Sequence, residues 1–443
     1  MLGQYVITGG RAADIAASVE RGVSSGALLP GAVLPPMREL AAGLGVNPNT
    51  VAAAYRILRE RGLIETDGRR GSRVRAEPAT LAREAIRTEL PPGVRDIAAG
   101  NPDPALLPPL TESLAAAARR YARRPGLYGD AVVAPELERA VRAAFDADGV
   151  PDGPVVLASG ALDAIERILS AHLRHGDAVA VEDPGWGSLL DLVPAMGLKV
   201  LPVALDDDGP RPEDVAAALA KGARALIVTD RAQNPTGAAM GAERAAALRE
   251  LLARHPDVLV IDDDHGHAIV HQPLHALAGT TRAWAFVRST AKAYGPDLRL
   301  AMFTADRMTA DRVQGRYRLG PGWVSRILQY AVVDLWERGV LDGAAVARSY
   351  GARREALIAA LDRRGIAARG RSGLNVWVPV ADETGVVARL QAAGWGVAPG
   401  ARFRVDSSPA VRLTVSQLEA GDVERLADAV ADAVRPGSGA RYA

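Results

Sequence analysis

The sequence contains no cysteine, which excludes disulfide bonds, thiolate metal ligands and cysteine nucleophiles. It also has no long apolar run, since no stretch approaches the roughly 20 uncharged apolar residues of a membrane-spanning helix. The N-terminal sequence MLGQYVITGGRAADIAASVERG has no continuous apolar segment after a basic start and does not resemble a secretory signal. We therefore expect a cytoplasmic protein without a membrane partner.

Lysine is almost absent as well. The chain has only Lys199, Lys221 and Lys292 among its 53 strongly basic residues, and all the others are arginine. Arginine stays protonated at ordinary pH, whereas a desolvated lysine can lose its proton and attack a carbonyl group. Lys292 lies in STAKAYGPDLRL, between a small polar segment and a Gly-Pro turn, and is the candidate for Schiff-base chemistry. We expect Lys199 and Lys221 to be solvated surface residues.

Composition and charge indicate a globular protein with a basic head. Apolar residues make up 48% of the 443 residues and charged residues 24%, which is typical of globular chains, and the length favours two or three domains. The net charge of +1 is unevenly distributed, because residues 1–75 contain ten arginines and only six acidic residues. This distribution indicates that the head, rather than the mildly acidic remainder, meets a polyanion.

The first part of the chain has the pattern of a helix-turn-helix. Apolar residues recur at helical spacing over 10–25, and helices are predicted over 36–44 and 48–61 with a glycine-containing turn at 45–47. Pro48 suits the first turn of the last of these helices, where its missing N–H has no cost.

Two short strands follow, at 64–66 and 72–75, and the turn DGRRG joins them. A hairpin after two helices completes a winged helix-turn-helix, so we expect a DNA-binding domain over 1–75. Residues 76–95 have no clear apolar stripe, include Pro-Pro-Gly, and are predicted to be a linker.

The segment GALLPGAVLPPMRELAAGLGVNPNTVAAAYRILRERGLI resembles the GntR family of winged-helix DNA-binding domains. In that family the second helix of the motif enters the major groove, and the wing lies along the minor groove or the backbone. The resemblance implies a double-stranded DNA operator as the partner, with protein contact alone as the alternative use of the fold. The matching positions are Arg38, Asn49, Thr50, Tyr55 and Arg56, with Arg69 and Arg70 on the wing.

After the linker, helical stretches alternate with the apolar runs VVLAS, AVAVED, LKVLPVAL, ALIVTD, VLVIDDD and WAFVRST. This alternation predicts an α/β domain over 96–443 with a mainly parallel, doubly wound sheet. We expect its large part over about 120–330 and a small C-terminal subdomain over about 331–436. Ligands of such sheets bind at the carboxyl ends of the strands, where the unusual residues of this chain occur.

Each strand end has more than one interpretation. The turn SGAL before a helix is either a phosphate site or an ordinary connection, and Trp186 either stacks on an aromatic ligand or fills the core. Asn234 precedes Pro235 in a turn and is available for a polar contact. Three consecutive carboxylates near His265 and His267 suggest a metal, but neighbouring residues alternate in direction and cannot all face one ion. We therefore expect no metal.

Taken together, these residues supply what a lysine-bound pyridoxal 5′-phosphate (PLP) requires: a carboxylate for the pyridine nitrogen, an aromatic face, a hydroxyl partner and phosphate-binding groups. Residues from about 96 to 435 resemble fold-type I aminotransferases, the PLP class, through GNPDPALLP, LYGD, ASGAL, VEDPGW, NPTGAAM, VIDDDH, STAKAYGPDLRLA and VRLTVS in collinear order. The resemblance implies that Lys292 forms the Schiff base with PLP.

The same resemblance implies the remaining contacts of the cofactor. Asp263 would pair with the pyridine nitrogen, Asn234 with the ring hydroxyl and Trp186 with the ring face. The phosphate would be bound by Ser159, Gly160, Ala161, Ser289 and Arg299, while Tyr128 would reach the phosphate of the partner subunit and Arg412 would bind a substrate or effector carboxylate.

Two positions depart from that pattern or leave it open. His265 stands where the class usually has a tyrosine that bonds the ring hydroxyl, so it is predicted to be a cofactor contact that disfavours efficient transamination. Asp262 is the alternative to Asp263 if the register differs by one residue.

A GntR head fused to an aminotransferase-like domain resembles the MocR subfamily of bacterial transcription regulators. Within it, RAQNPTG, GPDLRLA and GWVSRILQ resemble the PtsJ-type members associated with vitamin B6 metabolism. The resemblance implies a head-to-tail homodimer that senses PLP, or a PLP adduct with an amine such as a small amino acid, with a vitamin B6 vitamer as a further possible effector. The alternatives are a working aminotransferase with an accessory head and a DNA-binding protein with an empty cofactor domain.

Overall fold

A computed structural model describes residues 5–24, 27–29, 31–60, 63–67, 71–74, 83 and 90–435. They form two compact units. The first unit consists of the described residues up to 82 together with the short segments 174–177 and 191–199. The second unit comprises the other described residues. Within the described ranges, no helix has both the length and the apolar character that crossing a membrane requires.

The first unit contains the predicted winged helix. Gly45 ends the second helix in a left-handed conformation (φ 65°) that favours glycine, and the Asn47 side chain accepts a hydrogen bond from the Asn49 N–H at the start of the third helix (2.9 Å). The strands pair antiparallel, with Ile64 opposite Val74. The elements are α1 (Ala12–Ser24), α2 (Met37–Leu44), α3 (Pro48–Glu60), β1 (Ile64–Asp67) and β2 (Gly71–Val74).

An apolar core holds the elements of the winged helix together. Ile15 on α1, Leu40 on α2 and Leu58 on α3 are buried in one cluster with Ile64 and Val74 of the two strands. Burying such a side chain stabilises the fold by about 1.5–3 kcal/mol. Because these residues form the core, their spacing in the sequence marks the helices, and the predicted bounds agree with the structure within one or two residues.

The second unit is an α/β domain with a small subdomain. Its helices are α4 (Thr111–Arg123), α5 (Pro135–Ala147), α6 (Ala161–His172), α7 (Gly187–Ala195), α8 (Pro212–Ala220), α9 (Ala242–Ala253), α10 (Ala291–Tyr294), α11 (Arg307–Tyr317), α12 (Arg326–Glu337), α13 (Gly343–Asp362), α14 (Glu383–Ala392) and α15 (Ala420–Val434). Its strands are β3 (Arg95–Asp96), β4 (Val155–Ala158), β5 (Ala178–Asp183), β6 (Lys199–Asp206), β7 (Gly209–Pro210), β8 (Ala223–Thr229), β9 (Leu259–Asp264), β10 (Ala283–Ser289), β11 (Ala301–Ala305), β12 (Asn375–Pro379), β13 (Trp395–Gly396), β14 (Ala398–Pro399) and β15 (Ala410–Thr414).

The central sheet has the strand order β4-β11-β10-β9-β8-β5-β6-β7. Strands β5, β8, β9 and β10 run parallel, whereas β11 is antiparallel to both of its neighbours. The mainly parallel α/β sheet predicted from the sequence is thus confirmed. All residues of β9 are buried, because helices cover both faces of the sheet, and parallel strands of this kind have nearly continuous apolar sequences. Their carboxyl ends meet at one edge.

The small subdomain is built on the antiparallel sheet β12-β15-β14. Helix α13 connects the two cores, since Tyr350 near its middle packs into the large core and Leu357 and Leu361 pack into the small one. The segment that enters the domain also belongs here, because β3 pairs with β13 and Ile97 is buried in the small core.

A buried ion network fixes the carboxyl end of β9. Asp264 accepts two hydrogen bonds from Arg231 (2.9 and 3.0 Å) and one from the fully buried Arg288 (2.9 Å). Arg288 also donates to Asp148 at 2.6 Å. Burial opposes ionisation of Asp264, but the two guanidinium groups outweigh it and hold its pKa well below the usual range. The network therefore holds the residues next to Asp264 in a defined orientation.

Removing one partner of a buried ion pair leaves an uncompensated charge. We expect Arg288→Met to lower the free energy of unfolding by about 3–5 kcal/mol, measured by urea denaturation. The matched control is Arg254→Met, because Arg254 makes an exposed pair with Glu250 (3.0 Å) and such pairs contribute about 0–1 kcal/mol. Equal losses for the two variants would contradict the stabilising role of the network.

Candidate functional site

A cavity of about 480 Å³ opens at the carboxyl ends of the parallel strands. It lies within the second unit, between the large sheet and the small subdomain. Most of the residues that the sequence predicts for the cofactor line it: Ala161, Trp186, Asn234, Asp263, His265, Ser289, Lys292, Arg299 and Arg412. The fold therefore brings together side chains that are up to 251 residues apart in the chain, from Ala161 to Arg412.

Asp263 is a buried carboxylate in the wall of this cavity. The residue is 2% exposed, its Oδ2 lies 3.0 Å from His265 Nδ1, and its buried Oδ1 has no hydrogen-bond partner among the described residues. Asp262 faces the opposite side of β9, where it accepts from the N–H groups of Leu277 (2.8 Å) and Ala278 (2.6 Å). Neighbouring strand residues alternate in direction, so only Asp263 of the two lines the cavity.

His265 has different partners from those the sequence predicts. Its Nδ1 lies on the Asp263 carboxylate, and its Nε2 lies 2.8 Å from the carbonyl oxygen of Ala232. A carboxylate and a carbonyl oxygen are both acceptors, so this geometry favours a hydrogen on each ring nitrogen, which is the imidazolium form. Burial alone would lower the pKa of His265, but Asp263 and the two hydrogen bonds outweigh it and raise the pKa above its ordinary value. With both nitrogens engaged, neither is available for a cofactor hydroxyl.

Lys292 and Arg412 both bind the backbone of one segment, residues 98–100. Lys292 Nζ donates to the carbonyl oxygen of Gly100 at 2.9 Å, and Arg412 Nη2 donates to the carbonyl oxygen of Ala98. Arg412 Nη1 also donates to Asn234 Oδ1 at 2.8 Å. Arg412 is buried on β15, and its guanidinium group lies 4.5 Å from the ring centroid of Phe403.

An anion cradle lies at the start of α6. Gly160 has φ 115°, which L side chains rarely adopt, and a Cβ at this position would overlap the Arg299 guanidinium group. Arg299 Nη2 donates to the Ser159 carbonyl oxygen at 2.6 Å. Ser289 accepts from the Ala291 N–H at 3.2 Å on the adjoining strand end. A cation beside the N–H groups of a helix start is a suitable site for a phosphate.

Tyr128 lies outside the cavity of its own chain. It is 93% exposed and makes an edge-to-face contact with Trp323 at 5.4 Å between ring centroids. The structure of a single chain therefore does not bring Tyr128 to the other predicted residues.

The predicted DNA-contacting residues fall into three groups. Arg38 on α2 and Asn49 and Arg56 on α3 are exposed, and Thr50 is half-buried. Tyr55 is only 1% exposed and its hydroxyl donates to the Pro35 carbonyl oxygen at 2.7 Å, so it is a core residue that we no longer assign to DNA. Arg69 and Arg70 lie outside the described residues.

Sequence reasoning missed the backbone of residues 98–100 as part of the site. The motif GNPDPALLP was available as a signal, since it begins at Gly100. Backbone carbonyls leave no mark in side-chain chemistry, however, and the donors are 192 and 314 residues distant from their acceptors. Gln391 and Arg402, which line the outer part of the cavity, were missed for the same reason of distance.

Two family models match the chain. Residues 94–430 match aminotransferase class I and II, and residues 11–74 match the gntR family of bacterial regulatory proteins. Together they cover both units.

Similar proteins include transcription regulators and, among solved structures, aminotransferases. The vitamin B6 salvage pathway transcriptional repressor PtsJ of Salmonella typhimurium is 41% identical over 95% of this chain and 98% of its own length. The pyridoxine biosynthesis transcriptional regulator PdxR of Corynebacterium glutamicum is 27% identical over 70% of this chain and 66% of its own. Among solved structures, the chain is similar to the kynurenine aminotransferase of Pyrococcus horikoshii, which was determined in complex with PMP. The TM-score is 0.69 at 19% identity, over 78% of this chain and 92% of that one. At this identity the likeness shows the fold alone.

Proposed function

Because the chain belongs to the aminotransferase class I and II family and carries a gntR-family head, the arrangement of the MocR subfamily, we propose that it is a bacterial transcription regulator that binds DNA and senses PLP. The observation that carries this proposal is that Asp263 and Lys292 line one cavity and that the buried Asp263 Oδ1 has no hydrogen-bond partner among the described residues. The likeness to PtsJ over almost the full length supports vitamin B6 metabolism as the regulated process.

The residues of the cavity fit PLP. A buried carboxylate oxygen without a partner costs free energy unless a donor reaches it, and the protonated pyridine nitrogen is such a donor. At Gly160 the absence of a Cβ lets the Arg299 guanidinium group lie against the start of α6, and a cation beside the N–H groups of a helix start suits a phosphate. When bound, PLP supplies an aldehyde carbon that captures amines, so the cavity would register either PLP alone or PLP with an amine.

The assignment of residues follows the cavity wall. Lys292 would hold the cofactor through Nζ, Asp263 would accept from its pyridine nitrogen, and Trp186 would lie against its ring. Asn234 has its Oδ1 on Arg412, which leaves its amide N–H groups to donate to the ring hydroxyl. The phosphate would be bound by Ser159, Gly160, Ala161, Ser289 and Arg299.

The contacts of residues 98–100 suggest how binding reaches the head. The same two side chains that anchor this segment, Lys292 and Arg412, are the ones that an aldehyde and a ligand carboxylate would recruit. A covalent bond at Nζ removes protons that the lysine otherwise donates, and a carboxylate competes with the Ala98 carbonyl for Arg412. Ligand binding therefore alters the anchoring of the segment that follows the linker in the chain.

We take residues 98–100 to have two arrangements, one anchored by Lys292 and Arg412 and one released. A ligand shifts the equilibrium between them only by binding the two with different affinity. The contacts at Gly100 and Ala98 would produce this difference in affinity, because the carbonyl oxygens of these residues compete with the ligand for Lys292 and Arg412. We expect a coupling of about 1–3 kcal/mol between PLP and DNA, a value typical of linked sites.

An exposed apolar patch supports a homodimer. Leu127, Tyr128 and Leu319 are 70%, 93% and 90% exposed, and Trp323 contacts Tyr128. Large apolar side chains exposed side by side are typical of protein interfaces. In a head-to-tail dimer Tyr128 would meet the second copy and reach its phosphate cradle.

A working aminotransferase is the second candidate, because the cavity retains a lysine, a carboxylate and an arginine in suitable positions. We expect PLP to change the affinity of the protein for an operator that it has selected from a random duplex library by about 5–150-fold, with negligible amino-group transfer from a panel of amino acids. Rapid transfer together with DNA binding that ignores PLP would instead identify the enzyme.

Replacing the lysine tests the cofactor assignment. Lys292→Arg keeps the charge but cannot bond to an aldehyde, so the visible absorption band of protein-bound PLP and its trapping by borohydride should both be lost. Lys221→Arg is the matched control and should retain both. A trapped adduct in the Lys292→Arg variant would refute the assignment.

Replacing an exposed arginine on α2 tests the DNA interface. Arg38→Ala should weaken operator binding and reduce the slope of log affinity against log salt by about one, the contribution of one phosphate contact. The control is Arg21→Ala on α1, an exposed residue that precedes the helix-turn-helix. An unchanged slope and affinity for Arg38→Ala would place Arg38 outside the interface.

A further inference from the structure

The surroundings of His265 differ from those of an ordinary cofactor contact. The ring lies between the Asp263 carboxylate and the Ala232 carbonyl oxygen, at 3.0 and 2.8 Å, and its side chain is 15% exposed. A neutral imidazole has a single N–H and would place a lone pair against one of these two acceptors. The geometry therefore requires the doubly protonated ring.

The other charged groups at this end of the sheet act on the pair in opposite directions. Lys292 on α10 is a cation and disfavours the charged ring. Glu182 on β5 is buried near Asp263, and burial raises its pKa to about 7, while hydrogen bonds from the Thr229 N–H and the Gln233 side chain hold it in place. Asp263 is thus the group that holds the charge on His265.

We propose that His265 is a cationic positioning residue that shares the Asp263 carboxylate with the pyridine nitrogen of PLP. The inference rests on the proposed function, because it takes the cavity as the PLP site. His265 binds Oδ2 and fixes the rotation of the carboxylate, while the buried Oδ1 has no hydrogen-bond partner among the described residues and Asp263 lines the cavity. The bond from Nε2 to Ala232 in turn fixes the ring.

Two cations on one carboxylate affect each other. An imidazolium close to the pyridine nitrogen repels a second positive charge. It therefore lowers the pKa of the pyridine nitrogen and disfavours its protonated form. The protonated ring is the electron sink on which amino-group transfer depends. The site therefore orients the pyridine ring while weakening its capacity for turnover.

The first test uses the protein without added cofactor. With ¹⁵N-labelled histidine, NMR should show both ring nitrogens of His265 protonated above pH 6.5, where an ordinary histidine is mostly neutral. Asp263→Asn should return the ring to the neutral form at the same pH and leave the signal of the exposed His271 unchanged. A ring that is neutral above pH 6.5 in the unaltered protein would overturn the proposal.

The second test uses PLP labelled with ¹⁵N at the pyridine nitrogen. His265→Asn places a neutral amide donor where Nδ1 lies, and His265→Gln places one where Nε2 lies, so both remove the charge and each keeps one hydrogen bond. The pyridine nitrogen should keep its proton to a pH about one unit higher in both variants than in the unaltered protein. Identical titrations in all three proteins would contradict the shared carboxylate.

The two tests separate this inference from the function on which it rests. A charged His265 in a protein that fails to take up PLP would refute the sensor and leave the ion pair intact. PLP uptake with a neutral His265 would refute the positioning role and leave the sensor intact.

Discussion

The carboxylate of Asp263 is the constraint on which the site depends. One of its oxygens is bound by His265, and the other is buried without a hydrogen-bond partner among the described residues, so the side chain keeps one acceptor for a ligand of the cavity that it lines. The strand that carries it is held by buried ion pairs of Asp264 on the opposite face. The ion pairs of Asp264 with two arginines thus hold the strand on which Asp263 lies. The buried Asp263 Oδ1 has no hydrogen-bond partner among the described residues, and an unpaired buried atom is costly unless a ligand reaches it.

The second constraint links this acceptor to the rest of the chain. Lys292 and Arg412 approach the cavity from α10 and β15, and both donate to carbonyl oxygens of residues 98–100. The preceding residue bonds to the small subdomain, because the Thr414 N–H donates to the Ile97 carbonyl oxygen. A ligand that recruits the lysine and the arginine would therefore act on the backbone at the start of the domain. In the function that we propose, this backbone is the route by which a ligand at the strand ends affects DNA binding.

Much of this architecture is predictable from the sequence, because it depends on local patterns. The helix-turn-helix follows from apolar spacing, Gly45 and Pro48, and the rarity of lysine singles out Lys292. The choice between Asp262 and Asp263 was not predictable, because it depends on which face of β9 meets the cavity. Nor were the hydrogen bond of Tyr55 to Pro35 and the contact of His265 with the Ala232 carbonyl oxygen, since these contacts join residues 20 and 33 positions apart. Resemblance to a family predicts a role for each matching position. It does not predict the hydrogen-bond partners of a substituted residue, such as His265 at a position where the family usually has tyrosine.

The affinity of the protein for PLP, measured with and without its selected operator DNA, tests the central claim most directly. If the cavity and the winged helix share one conformational equilibrium, DNA must change the affinity for PLP by the same factor as PLP changes the affinity for DNA. We expect equal factors of about 5–150 in the two directions. An affinity for PLP that is the same with and without DNA would contradict the account.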